Sequence, residues 1–161
     1  METKRDWTQS YCWAAFVARW ILGLIFLMAG WFKVFEMGAV QHAQTLFVEG
    51  YQDSWIPAWL LWATGFVIPF VELLAGVLLL VGWRVREVLV VLGGLLLLVT
   101  YGHLLKEPFY DITTHIFPRV VFLLVLFVLP READRWTLDA FLLGRRGEHQ
   151  NTLRGAPPTI Q

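Results

Sequence analysis

The run IPAWLLWATGFVIPFVELLAGVLLLVGW, residues 56–83, decides the fold. Glu72 is its one ionisable side chain. A helix rises about 1.5 Å per residue and a bilayer core is about 30 Å thick, so the run crosses with length to spare and can tilt. Leu, Val and Phe occupy its whole circumference rather than one stripe, as in lipid-embedded helices. Three further apolar runs follow the same logic, at about 13–32, 88–105 and 113–129, the last being the shortest. The sequence therefore predicts an all-α fold, an integral membrane four-helix bundle over residues 1–130.

Composition agrees with this reading. Of 161 residues, 57% are hydrophobic and 16% charged, with a mean hydropathy of +0.57. That charge content lies well below the usual quarter of a soluble domain. Thirteen basic residues balance thirteen acidic ones, which gives no reason to expect nucleic acid as a partner. The single cysteine, Cys12, excludes an intrachain disulfide, a CxxC pair and a cysteine zinc site. The first run is too long for a cleaved signal and ends in Gly30-Trp31-Phe32-Lys33 instead of a small-x-small site, so a retained helix is expected.

Basic residues set the expected orientation. Lys4, Arg5, Arg84, Arg86, Arg131, Arg135, Arg145, Arg146 and Arg154 fall on one side, against Lys33 and Lys106 on the other. Both termini are then expected in the cytoplasm. Trp13, Trp31, Trp55, Trp59, Trp83, Tyr101, Tyr110 and Trp136 lie near predicted helix ends, where amphipathic rings gather. The longest outer connection, 34–55, holds a candidate interfacial helix at about 40–48. Residues 131–143 read as an amphipathic interfacial helix on the inner leaflet. Residues 144–161 read as a flexible cytoplasmic tail.

Ionisable groups inside hydrocarbon are functional-site hypotheses, because each costs a few kcal/mol unless solvated or paired. Arg19 and Arg119 lie near enough to helix ends to snorkel. Glu72 lies more than two turns from either end of its helix and has no such escape. Gly65, Pro69, Glu72 and Gly76 share one helix face; Arg19, Gly23, Phe26, Gly30 and Lys33 share another. Packing these small-residue faces together predicts a buried polar centre in which Arg19 pairs with Glu72. A structural pair that sets register competes there with a proton or ligand role for Glu72.

A second group is expected at the outer helix ends: Tyr101, His103, His115 and Arg119, with Lys33, Glu36 and His42 as contributors. Four readings stay open. Facing histidines can ligate a haem. Histidines with Glu36 or Asp111 can bind a metal, although neither His forms an i, i+4 pair with another ligand, so no metal site is assigned. His, Tyr and Arg can hydrogen-bond a quinone head group. The remaining reading is ordinary helix-end histidines bonded to backbone or water.

Arg19, Gly23, Gly30-Trp31-Phe32-Lys33, Glu72 and Gly76 before Leu80-Val81-Gly82 resemble the DoxX family of small four-helix membrane proteins, over about residues 14–130. The resemblance implies a bundle in a bacterial-type inner membrane. Some relatives are subunits of a thiosulfate:quinone oxidoreductase, and others accompany redox or oxidative-stress proteins. No thiosulfate-binding constellation is legible in this chain. The function expected first is a redox-associated subunit that binds a quinone as cofactor and takes electrons from a soluble or membrane partner. The second is a non-catalytic anchor or assembly subunit. A small proton-coupled transporter working through Glu72 is the third, and it would need a homo-oligomer to enclose a cavity.

Overall fold

The computed structural model describes residues 2–106, 116–130, 134 and 136–142, with side chains described from residue 9 onward. Helix α1 runs Glu2–Trp31 and passes without a break into a π-helical segment, Phe32–Glu36. Helix α2, Ala39–His42, likewise continues as a π-helix, Ala43–Glu49. Helices α3, α4 and α5 run Ala58–Val81, Val85–Lys106 and Phe117–Val128. The described residues contain no strand. Residues 9–36, α3 and α4 are long and apolar enough to cross a membrane. Helix α5 is apolar but has 12 described residues, about 18 Å at helical rise. The expected start of that run, 113–115, lies outside the described residues, as do 131–133, 135 and the tail from 143 on. Between them, 138–142 are helical.

Small residues determine how α1 meets α3. A Cβ on Gly30 would lie 2.6 Å from Leu73 Cα, and one on Gly76 would lie 2.6 Å from Leu27 Cα. Nearer one end, Gly23 packs on Leu79 and Leu80. The two helices are therefore antiparallel and touch backbone to backbone, as packing without a hydrophobic driving force requires. Phe26 and Leu22 from α1 and Leu79 from α3 are fully buried in this seam, and Leu89 and Leu92 carry the core into α4. Leu123 and Leu126 of α5 close it.

The α3–α4 turn is built around Gly82, whose φ of 73° is the left-handed conformation that glycine takes without strain. Gly82 N–H donates to Leu79 O and Trp83 N–H to Leu78 O, which closes the helix end in a Schellman motif. A side chain at Gly82 would also meet Thr137 Cα at 2.8 Å, so the glycine admits segment 136–142 against the turn.

Candidate functional site

Arg19 and Glu72 are both buried, at 0% and 2% exposure, but they do not pair with each other. The α1–α3 register explains why. With Gly30 facing Leu73 and Leu27 facing Gly76, Glu72 stands level with the end of α1. Arg19 lies about 18 Å, more than three turns, back along α1, where its guanidinium meets the end of α3. The expected Arg19–Glu72 pair is therefore replaced by two separate polar centres, one at each end of the bundle.

At one end Arg19 acts as a clamp. Its Nη1 donates to Leu79 O at 2.7 Å and Leu80 O at 3.2 Å, Nη2 to Trp136 O at 2.7 Å, and Nε to Asp134 Oδ2 at 2.8 Å. Leu79 and Leu80 carry carbonyls at the end of α3, where Leu79 O also accepts from Gly82 N–H, and the negative end of the helix dipole favours a cation there. Burial pushes the Asp134 carboxyl above its ordinary value, and the charge and hydrogen bond of Arg19 oppose this. Arg86 serves α5 in the same way, donating to Phe127 O at 2.8 Å and Leu129 O at 2.5 Å. Asp139 accepts from Arg84 N–H and Val85 N–H at the start of α4, an N-cap supplied from elsewhere in the chain. Thr137 Oγ1 accepts from Ala140 N–H. Trp13, Phe16 and Trp136 pack edge to face over the clamp. Asp134 and residues 136–142 are thus tied to α1, α3 and α4 by charged and capping contacts.

At the other end Lys33 Nζ lies 2.5 Å from Glu72 Oε2, the lysine side chain 24% exposed and the carboxylate 3%. Lys33, expected only as an outer contributor, is the actual partner of Glu72. It sits in the π-helical segment after α1, and such segments recur at functional sites because the extra residue re-aims a side chain. His42 completes this centre at 3% exposure. Its Nδ1 lies 2.7 Å from Gly65 O. Gly65 O would ordinarily accept from the N–H of residue 69, but residue 69 is proline, which has none. His42 supplies the missing donor. A side chain at Gly65 would meet Ala43 Cα at 2.8 Å, so only glycine lets this segment come close enough. Burial lowers the His42 pKa from 6.5, the Gly65 bond raises it, Lys33 lowers it and Glu72 raises it.

The expected outer group is only partly described. His115 and Asp111 lie outside the described residues. Tyr101 is half exposed, at 52%, and His103 is partly buried. Arg119 turns to the core, its guanidinium carbon 5.5 Å from the centroid of Phe26. Its Nε is buried and lacks a hydrogen-bond partner among the described residues. Glu36 is exposed. Among the described residues no group of three or more His, Cys, Asp or Glu is placed to hold a metal ion.

Sequence reasoning missed Asp134 as the partner of Arg19 and the capping roles of Arg86 and Asp139. It also left His42 at the margin. One signal was available: Gly65 and Pro69 four residues apart in a predicted helix announce an orphaned carbonyl that needs a donor from elsewhere.

Comparison with known proteins corrects the family. The family model that matches is "MauE: Methylamine utilisation protein MauE", over residues 11–107. The resemblance to DoxX is thereby overturned; glycine stripes with a buried charge are general devices of membrane-helix packing and do not separate one small bundle family from another. No curated protein and no solved structure matches the chain.

Proposed function

The chain belongs to the MauE family of membrane proteins, and from that premise we propose that it serves methylamine utilisation as a non-catalytic accessory subunit. In this role the bundle anchors a partner of that system at the end that carries segment 134–142. The observation behind this reading is the Arg19 clamp. A buried guanidinium places its donors on two α3 carbonyls, on Trp136 O and on Asp134, and so turns a short segment after the last helix into a fixed surface. Trp136 and Phe141 stand at its exterior, 50% and 57% exposed. The bias of basic residues supports the cytoplasmic side for that end and for both termini.

Disruption of the gene in the source organism tests the reading. Growth with methylamine as sole nitrogen source is expected to fail while growth on ammonium continues. Wild type should complement, and a chain lacking 134–142 should insert but not complement. Undiminished growth on methylamine after disruption refutes the role; complementation by the shortened chain refutes the docking surface.

A second reading has its own observation. Arg119 Nε is a buried donor without a partner among the described residues, beside the flat face of Phe26. Such a donor suits the carbonyl of a quinone, with apolar helix faces for its tail. In this reading Arg119 holds the head group, Tyr101 and His103 contribute with His115, which lies outside the described residues, and the subunit takes part in a redox step with its partner. Binding of a short-chain quinone to the purified protein should weaken at least about tenfold in Arg119→Ala, the loss of ~1.4 kcal/mol. Equal binding by both proteins removes this reading.

A further inference from the structure

The His42 ring lies outside the membrane-spanning helices, is almost fully buried, and is held by one atom whose chemistry is unambiguous. A backbone carbonyl only accepts hydrogen bonds, so the contact at 2.7 Å between His42 Nδ1 and Gly65 O requires the proton on Nδ1. Pro69 cannot supply the bond that Gly65 O would otherwise take. Leaving that carbonyl unpaired would cost its full desolvation penalty. The tautomer is therefore fixed by covalent structure twenty-seven residues away. In the neutral ring the lone pair belongs to Nε2.

We infer that His42 is a proton-accepting site of fixed tautomer, with Nε2 as its only basic atom, set against the α3 face that also carries Glu72. A proton from an aqueous acid adds to the Nε2 lone pair and gives an imidazolium that keeps its Nδ1–H on Gly65 O; release returns the same neutral tautomer. No other bond forms or breaks. The elements packed around α2 bring these charges: Lys33 and Glu36 on Phe32–Glu36, Glu49 on Ala43–Glu49, and Glu72 on α3. Lys33 and Glu72 are the two that act on the ring, with opposite signs. Lys33 opposes protonation and Glu72 favours it. Phe47, 5.4 Å from the ring by centroids, covers one side. This inference stands apart from the methylamine reading and can fail or survive separately.

The experiment is ¹⁵N NMR of the imidazoles in the full chain, reconstituted in lipid nanodiscs and titrated from pH 8 to 5. His42 is assigned by the signal missing in His42→Asn. The expected result is a one-bond proton coupling on Nδ1 and a bare Nε2 at high pH, with titration at Nε2. Pro69→Ala returns an N–H to residue 69. The competing donor should free the ring, speeding Nδ1 proton exchange about tenfold, which is ~1.4 kcal/mol of lost protection. Lys33→Met should move the His42 midpoint up, and Glu72→Gln should move it down. A bare Nδ1 with the proton on Nε2 overturns the tautomer. Midpoints that ignore both substitutions overturn the placement of the ring against the charged α3 face. If His42→Asn does not fold, assignment by Pro69→Ala alone still decides the tautomer.

Discussion

Gly76→Ala tests the backbone contact on which both polar centres depend. The added Cβ would meet Leu27 Cα at 2.6 Å, where ordinary contact begins at 3.4 Å. Both Leu27 Cα and its amide nitrogen are backbone atoms of α1 and have no rotamer to escape into, so the helices must part by about 1 Å, which forfeits a quarter to a half of each contact's attraction along the seam. Overpacking of this kind costs about 1–3 kcal/mol, and backbone-to-backbone contact puts it in the upper part of that range. Alanine returns at most about 1 kcal/mol of helix propensity over glycine. The net expectation is a loss of about 2 kcal/mol, near 30-fold in the folded-to-unfolded ratio. Gly30→Ala should cost a similar amount, since its Cβ meets Leu73 at the same crossing. The double variant should cost less than the sum, because one separation relieves both clashes. Gly93→Ala is the control: nothing lies within 4 Å of its added Cβ, and α4 should be unchanged or slightly steadier. The assay is reversible unfolding in mixed micelles followed by circular dichroism. Equal stability of Gly76→Ala and Gly93→Ala would refute the close α1–α3 seam.

Three further expectations follow from the two polar centres. Arg19→Met removes the guanidinium donors of the Leu79, Leu80 and Trp136 carbonyls and of Asp134; breaking a buried pair costs about 3–5 kcal/mol, and amide exchange over 136–142 should accelerate far more than over α4. Lys33→Met strands the Glu72 carboxylate at 3% exposure and should destabilise by a similar ~3 kcal/mol, whereas adding Glu72→Gln to it should recover much of that loss in a double-mutant cycle. The His42 pKa is lowered on folding from 6.5, so the unfolded chain binds the proton first: the stability this group contributes is full above pH 6.5 and drains away as pH falls through the folded value. Unfolding curves between pH 8 and 5 should show that slope in wild type and a shallower one in His42→Asn.

The membrane-spanning character was legible in residues 56–83 because it depends on length and composition alone, and neither changes with context. The glycine stripes likewise showed which faces of α1 and α3 meet. What they did not show was the register. A shift of nearly four turns, about 21 Å along α1, decides whether Glu72 faces Arg19 or Lys33, and a stripe with glycines at several levels fits more than one such alignment. The backbone contacts Gly30–Leu73 and Gly76–Leu27 settle it. The amphipathic pattern of residues 131–143 did not announce that Asp134 accepts from Arg19 and that Asp139 caps the start of α4, partners more than fifty residues away in sequence. Periodicity finds the apolar face of an element but is blind to which distant orphan its polar atoms satisfy.

Sequence by itself determined that this chain is helical and crosses a membrane, and it singled out Arg19 and Glu72 as buried charges, since hydrocarbon penalises such groups wherever they lie. Tertiary structure decided their partners. It also promoted His42 from a loop histidine to the donor that replaces the missing N–H of Pro69. Hydrogen bonds and ion pairs act over about 3 Å, so only the meeting of separate helices in space selects who bonds to whom.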